Sequence, residues 1–219
     1  MNAKVEKPAG RMAVAAGILA AFAAAGVGLV AFTEVSTRER IAANERAYLL
    51  RALNEVVPAD AHDNDMFSDT IQVSDEELLG TPEAITVFRA FSGGQPAAVI
   101  LTPIAPDGYS GAIRLLVGIA TDGRLTGVRV TSHRETPGLG DGIEAARSDW
   151  IVGFDDRSLT DPPLARWTVR RDGGDFDQFT GATITPRAVV KAVRNALLYF
   201  EKNRQILFDP HPQNSGPGQ

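Results

Sequence analysis

Ile113-Arg114-Leu115-Leu116-Val117-Gly118-Ile119-Ala120-Thr121-Asp122-Gly123-Arg124-Leu125-Thr126-Gly127-Val128-Arg129-Val130-Thr131-Ser132 decides the fold class. Two apolar runs flank an Asp-Gly turn, the composition of a β-hairpin. In the second run Val128 and Val130 alternate with Arg129 and Thr131, which predicts a sheet with one wet face. Working outward, Ile85–Phe91 and Ala97–Thr102 flank Ser92-Gly93-Gly94-Gln95, a second hairpin pattern, and Gly108-Tyr109-Ser110-Gly111 reads as a turn. After the central hairpin comes a Gly/Pro loop over 133–142. Ile143–Phe154 reads as a short helix with Ile143, Ala146, Trp150 and Ile151 on one side, and Trp167–Arg170 as a short strand. The last helix opens with Thr185 as cap and Pro186 as first helical residue. Val189, Val190, Val193, Leu197 and Phe200 then line one face, and Arg187, Lys191, Arg194, Glu201 and Lys202 the other. The expected class is α+β: a mostly antiparallel twisted sheet with packed helices.

Met12–Phe32 is a 21-residue stretch without a charge. As a helix it would be roughly 31 Å long, enough to cross a bilayer core. Ala23-Ala24-Ala25 also offers the small-residue pattern of a cleaved signal peptide. The apolar run continues through Val27, Leu29, Val30 and Phe32, longer than a signal needs, so a retained transmembrane helix is the preferred reading. Lys4, Lys7 and Arg11 against Glu6 give residues 1–11 a net +2, favouring a cytoplasmic N-terminus. Residues 33–219 carry −7 of the chain's net −5, with 19 basic and 26 acidic residues, and an acidic domain argues against nucleic acid. Ser36-Thr37-Arg38-Glu39 has capping-box spacing before a helix expected over about 37–57, either starting there or continuing from the membrane stretch, and Pro58 ends it. Residues 58–82, acidic and turn-rich, read as a linker or the irregular edge of a domain. The expected divisions are 1–11 (cytoplasmic), 12–32 (transmembrane), 33–82 (helix and linker), 83–206 (folded domain) and 207–219 (disordered tail).

The 219 residues include no cysteine and three histidines, His62, His133 and His211. Disulfides, thiolate chemistry and cysteine-held clusters are excluded, and a multi-histidine metal or haem site is disfavoured. Two segments could carry chemistry. Asp177-Gln178-Phe179-Thr180-Gly181-Ala182-Thr183 stands before the last helix. A tight Thr-Gly-Ala-Thr turn can present a hydroxyl beside free N–H groups and the positive helix end, where a phosphate is stabilised, with Arg187 within one turn. The bland alternative is that Thr180 and Thr183 only cap and turn. His133-Arg134-Glu135-Thr136-Pro137-Gly138-Leu139-Gly140-Asp141-Gly142 is the other segment; its glycines would let backbone amides approach a planar or anionic ligand. Its spacing is not the dinucleotide fingerprint. His133 with Glu135, or Asp172, Asp175 and Asp177, could attract a metal, though no full ligand set is evident, so no metal site is expected. Trp150 and Trp167 suit the core better than a cofactor stack.

Taken together, Asp177 and Thr180-Gly181-Ala182-Thr183 resemble the Asp-x-x-(Ser/Thr)-Gly-Ala-Thr flavinylation motif of extracytoplasmic FMN-binding domains. Glu135-Thr136-Pro137-Gly138-Leu139-Gly140 is similar to that family's other signature. The likeness runs from about Gly108 to the final helix, and the N-terminal membrane helix fits it too. Asp172-Gly173-Gly174-Asp175-Phe176-Asp177 most resembles the G subunits of Rnf (Rsx) complexes, ion-translocating ferredoxin:NAD+ oxidoreductases. The C subunit of the sodium-translocating NADH:quinone oxidoreductase shares the motif but is longer. The resemblance implies FMN joined to Thr183 through a phosphoester, placed by a flavin transferase that takes FMN from FAD using Mg²⁺. It implies that residues 83–206 are the FMN-binding domain, lying outside the cytoplasm on a bacterial inner membrane. It also implies an electron-carrying subunit among other complex subunits rather than a free-standing enzyme. Thr180 and Thr185 are the next hydroxyls if Thr183 is not the acceptor. Competing readings are the equivalent flavin subunit of a quinone-reducing complex, or an anchored binding or assembly protein without redox function.

Overall fold

The computed structural model describes residues 8–209. It divides into two compact units, 1–49 and 50–219. One long helix, α1 (Pro8–Val56), runs through the first unit into the second. Its Gly10–Arg38 portion is long and apolar enough to cross a membrane, and large side chains there, such as Phe22 and Leu29, are exposed. The helix over 37–57 continues from the apolar stretch, the second of the two readings, and does not start at Ser36. The helix passes through it, with the Thr33 and Thr37 hydroxyls bonded to carbonyls one turn back and Arg38 paired with Glu34 at 2.8 Å. A capping box marks a helix start only where the preceding residues leave the helix, and here they do not.

The second unit is built on six strands: β1 (Thr70–Asp75), β2 (Thr81–Ser92), β3 (Gln95–Leu101), β4 (Ile104–Ala105), β5 (Ile113–Ala120) and β6 (Leu125–Ser132). All pairings are antiparallel, so the architecture is α+β as expected. β5 is the hub, pairing with β3, the short β4 and β6. β1 and the four-residue α2 (Glu76–Leu79) lie inside 58–82, which is therefore the edge of the domain rather than a linker, and the domain starts earlier than residue 83.

α3 (Ile184–Phe208) supplies the largest apolar face. Val189, Val190, Val193, Ala196, Leu197 and Phe200 join Val87, Val99, Leu115, Val117 and Val128 in one core. The other face is not wet at its centre. Ile100 and Leu116 are also buried, and Val56 lies against Gly118 and Gly127, which face each other across β5 and β6. A Cβ on Gly118 would come within 2.3 Å of both Val56 Cγ1 and Thr126 Oγ1. The glycines therefore make room for the end of α1.

The predicted Ile143–Phe154 helix is two 3₁₀ pieces, Asp141–Ile143 and Asp149–Phe154, with Ala146 exposed between them. Ser148 breaks the run by capping the second piece, its Oγ accepting from Trp150 N. The predicted Trp167–Arg170 strand reduces to a single bridge, Val169 to Phe176. α3 continues two residues past 206, Leu207 is buried, and the Asp209 carbonyl accepts from Arg89 Nη1 at 2.6 Å. The remainder of the predicted tail, 210–219, and residues 1–7 lie outside the described residues.

Candidate functional site

Three segments far apart in sequence meet at the start of α3. The first is the turn predicted from Thr180-Gly181-Ala182-Thr183. Ala182 N donates to the Phe179 carbonyl at 3.1 Å, and Gly181 takes φ +82°, a left-handed value that favours glycine. Thr183 occupies the cap position of α3, and its side chain makes no capping bond. It is half-buried, while Thr180, Gly181 and Ile184 are exposed. The predicted cap at Thr185 is therefore corrected by two residues. Thr185 is inside the first turn and fully buried, and its hydroxyl donates to the Glu135 carboxylate. Of the three hydroxyl side chains, Thr185 is enclosed, whereas Thr180 and Thr183 are accessible.

The second segment is the 133–142 loop. Glu135 is turned inward, 4% exposed. Its Oε2 accepts from Thr185 and its Oε1 from Ser110 N at 3.0 Å. Its own N–H donates to His133 Nδ1 at 3.0 Å, which makes Nε2 the protonated ring nitrogen in the neutral form and its 2.6 Å contact with Glu144 a donated bond. The third segment is the Gly108–Gly111 turn that supplies Ser110. A Cβ on Gly140 would sit 3.0 Å from Glu135 Oε2 and Thr185 Oγ1, and one on Gly108 would sit 3.0 Å from Glu135 Oε1. Both glycines are close-approach positions around one carboxylate.

Of the loop's amides, those of residues 138–140 are bonded within the loop rather than left for a ligand. Gly138 N donates to Asp141 Oδ1 at 2.7 Å, and Leu139 N and Gly140 N both donate to the Thr136 carbonyl. What the loop offers outward is side chain. Thr136 and Pro137 are exposed, and Leu139, half exposed, reaches within 3.7 Å of where a Gly181 Cβ would lie. The two predicted motifs are thus adjacent, with Leu139 over the turn before Thr183.

Trp150 holds the motif from the other side. Its Nε1 donates to the Asp177 carbonyl at 2.8 Å, and its ring meets Phe179 edge-on, centroids 5.4 Å apart. Phe179 in turn packs under Gly142. Trp167 is core, bonded to the Ser158 and Pro162 carbonyls. The acidic run is neutralised by arginines: Asp177 pairs with Arg170 at 3.0 Å, Asp175 with Arg166, and Asp172 with Arg187 through two bonds of 2.7 and 3.0 Å. Hydrogen bonding to Arg187 holds the Asp172 carboxyl below its usual range, and the reverse effect raises Arg187. Among the described residues no group of three His, Cys, Asp or Glu is placed to hold a metal.

Two family models match separate parts of the chain. The model of the FMN-binding domain matches residues 108–198, a span that contains all three segments of the site. That of the RnfG N-terminal region matches residues 1–56, the whole of α1 and the residues before it. The G subunit of the ion-translocating oxidoreductase complex of Vibrio atlanticus (strain LGP32) is 52% identical over 199 residues, covering 91% of this chain and 94% of its own. The chain belongs to the family of G subunits of ion-translocating oxidoreductase complexes. The corresponding protein of Pseudomonas aeruginosa (strain UCBPP-PA14) is likewise 52% identical, over 88% of this chain and 90% of its own. That of Shewanella amazonensis is 44% identical over 88% and 89%. In this member of the family, sequence reading placed the Thr180–Thr183 turn before the last helix and the 133–142 loop after the central hairpin, as observed. It gave no role to Ser110, took Thr185 for a cap and left Asp172 unpaired, because none of these carries a signal until the segments meet.

Proposed function

We propose that this chain is the membrane-anchored flavin subunit of an Rnf-type ferredoxin:NAD+ oxidoreductase, with FMN held as a phosphoester on Thr183. The observation that carries the reading is the state of Thr183: a hydroxyl at the start of a 25-residue helix that caps nothing, in a turn opened by Gly181. The first N–H groups of a helix have no partner one turn back, and the helix dipole favours an anion there. A phosphodiester keeps one negative charge, so the position suits the product of flavinylation. The residues present fit the group: Thr183 would bind it covalently, Leu139 and Ile184 give apolar surface beside it, and Arg187 gives a nearby positive charge.

A threonine hydroxyl is a poor nucleophile, so a separate flavin transferase would activate it. The Thr183 Oγ–P bond forms as the pyrophosphate bond of FAD breaks, and AMP and a proton leave. Bound FMN supplies one- and two-electron redox chemistry, and this chain's residues anchor and orient it. A covalent grip suits a chain without cysteine in a compartment where a dissociated cofactor would be lost. The basic residues ahead of the apolar stretch favour a cytoplasmic N-terminus at the bacterial inner membrane, which puts the flavin domain on the opposite side, among the other subunits of the complex. The test is co-expression with a flavin transferase and in-gel fluorescence: Thr183→Val should abolish the band and Thr180→Val should retain it. A fluorescent Thr183→Val chain would contradict the assignment.

A further inference from the structure

Arg187 follows Thr183 by four residues, so the two lie on one face of α3. A helical side chain leans back over the turn N-terminal to its own Cα, which directs Arg187 toward Thr183. In this structure the guanidinium is occupied by Asp172, which accepts both bonds from outside the helix. The pair is largely exposed, its side chains 45% and 35% accessible, and exposed pairs exchange partners at small cost. Gly173, at φ +88°, ends the short 3₁₀ turn that carries Asp172.

The geometry points to Arg187 as the residue that neutralises the phosphodiester on Thr183, with Asp172 as its displaceable partner in the unmodified chain. The inference rests on the flavin reading above. A phosphodiester and a carboxylate offer the guanidinium fork the same two-oxygen edge. The phosphodiester has the further advantage of the helix N-terminus, which Asp172 lacks. Loading would therefore move Arg187 from Asp172 to the phosphate and untie the 170–177 segment from α3 at that point, while the Asp177–Arg170 and Asp175–Arg166 pairs persist. Besides Arg187, the charge acting on Asp172 is Arg171.

The full chain, in detergent, is prepared with and without co-expressed transferase. Mass spectrometry first establishes whether wild type carries FMN on Thr183; if it does not, the flavin reading fails and this inference with it. In loaded protein, the phosphorus-31 resonance of the attached FMN should move in Arg187→Gln. It should stay in place in Arg194→Gln, a charge on the same helix roughly 10 Å further along. In wild type, with Asp carboxyls labelled by carbon-13 and Asp172 assigned by Asp172→Asn, the Asp172 titration midpoint should rise toward the ordinary aspartate value on loading. An Arg187→Gln resonance identical to wild type, or an Asp172 midpoint unchanged by loading, overturns the assignment. If Arg187→Gln does not load, the wild-type midpoint decides alone.

Discussion

Glu135 shows how much one buried carboxylate organises at this site. It holds Ser110, Thr185 and, through its N–H, His133, and two glycines give it room. Removing it leaves a buried hydroxyl and an amide without partners, at about 1–3 kcal/mol each. Glu135→Ala should lower stability by about 2–5 kcal/mol in denaturant melts, whereas Glu135→Gln, which keeps an acceptor for Ser110, should lose much less. Asp155 is a second informative residue. Burial raises its carboxyl above the ordinary range, Arg129 pulls it back and Asp156 adds to the rise, and its Oδ1 has no hydrogen-bond partner. A carboxyl whose pKa rises on folding favours the folded state's protonated form, so stability falls as pH climbs from the ordinary aspartate value, about 3.9, through the higher folded one. Asp155→Asn should match the parent at lower pH and gain on it toward neutrality in thermal scans. At this scale the sequence disclosed the Thr180–Thr183 turn and its place before α3, because Gly181 and Pro186 mark them. It did not disclose Thr185, since a buried threonine two residues into a helix and a capping threonine look alike before the helix start is known.

Among the elements, the central hairpin and the final helix were legible, for opposite reasons. The Asp122-Gly123 turn fixes the hairpin locally, and α3 carries an unbroken apolar face. Less legible was what covers the sheet. Alternation in Leu125–Ser132 implied one wet face, but the near-continuous apolar run of β5 is the mark of a strand covered on both. The cover comes from the end of α1, which no local pattern announces. Gly118→Ala tests this contact. Its methyl would press on Val56 and Thr126, and overpacking of this kind costs about 1–3 kcal/mol, read as a lower midpoint in denaturant. β1 and α2 were missed because acidic and turn-forming residues hide a six-residue strand and a four-residue helix, both too short to show a period.

For the molecule as a whole, the uncharged stretch 12–32 falls within the first unit, 1–49. It leads an acidic remainder of net −7. The core that supports the site lies entirely in the second unit, so a chain beginning at Leu50 should fold, remain in solution without detergent and accept flavin from the transferase, while the full chain sediments with membranes. An aggregated or unfolded product on circular dichroism would show that the first unit is needed for folding. The absence of cysteine removes the thiolate routes by which a chain holds a redox group, and in the function proposed above Thr183 takes their place.

FMN attachment at Thr183 is read out by mass. Full-length protein co-expressed with a flavin transferase, digested and weighed by tandem mass spectrometry, should give a peptide containing Thr183 heavier by FMN less water, with fragment ions placing the added mass on Thr183. An unmodified Thr183 peptide from protein made under those conditions, or the added mass on Thr180, would contradict it.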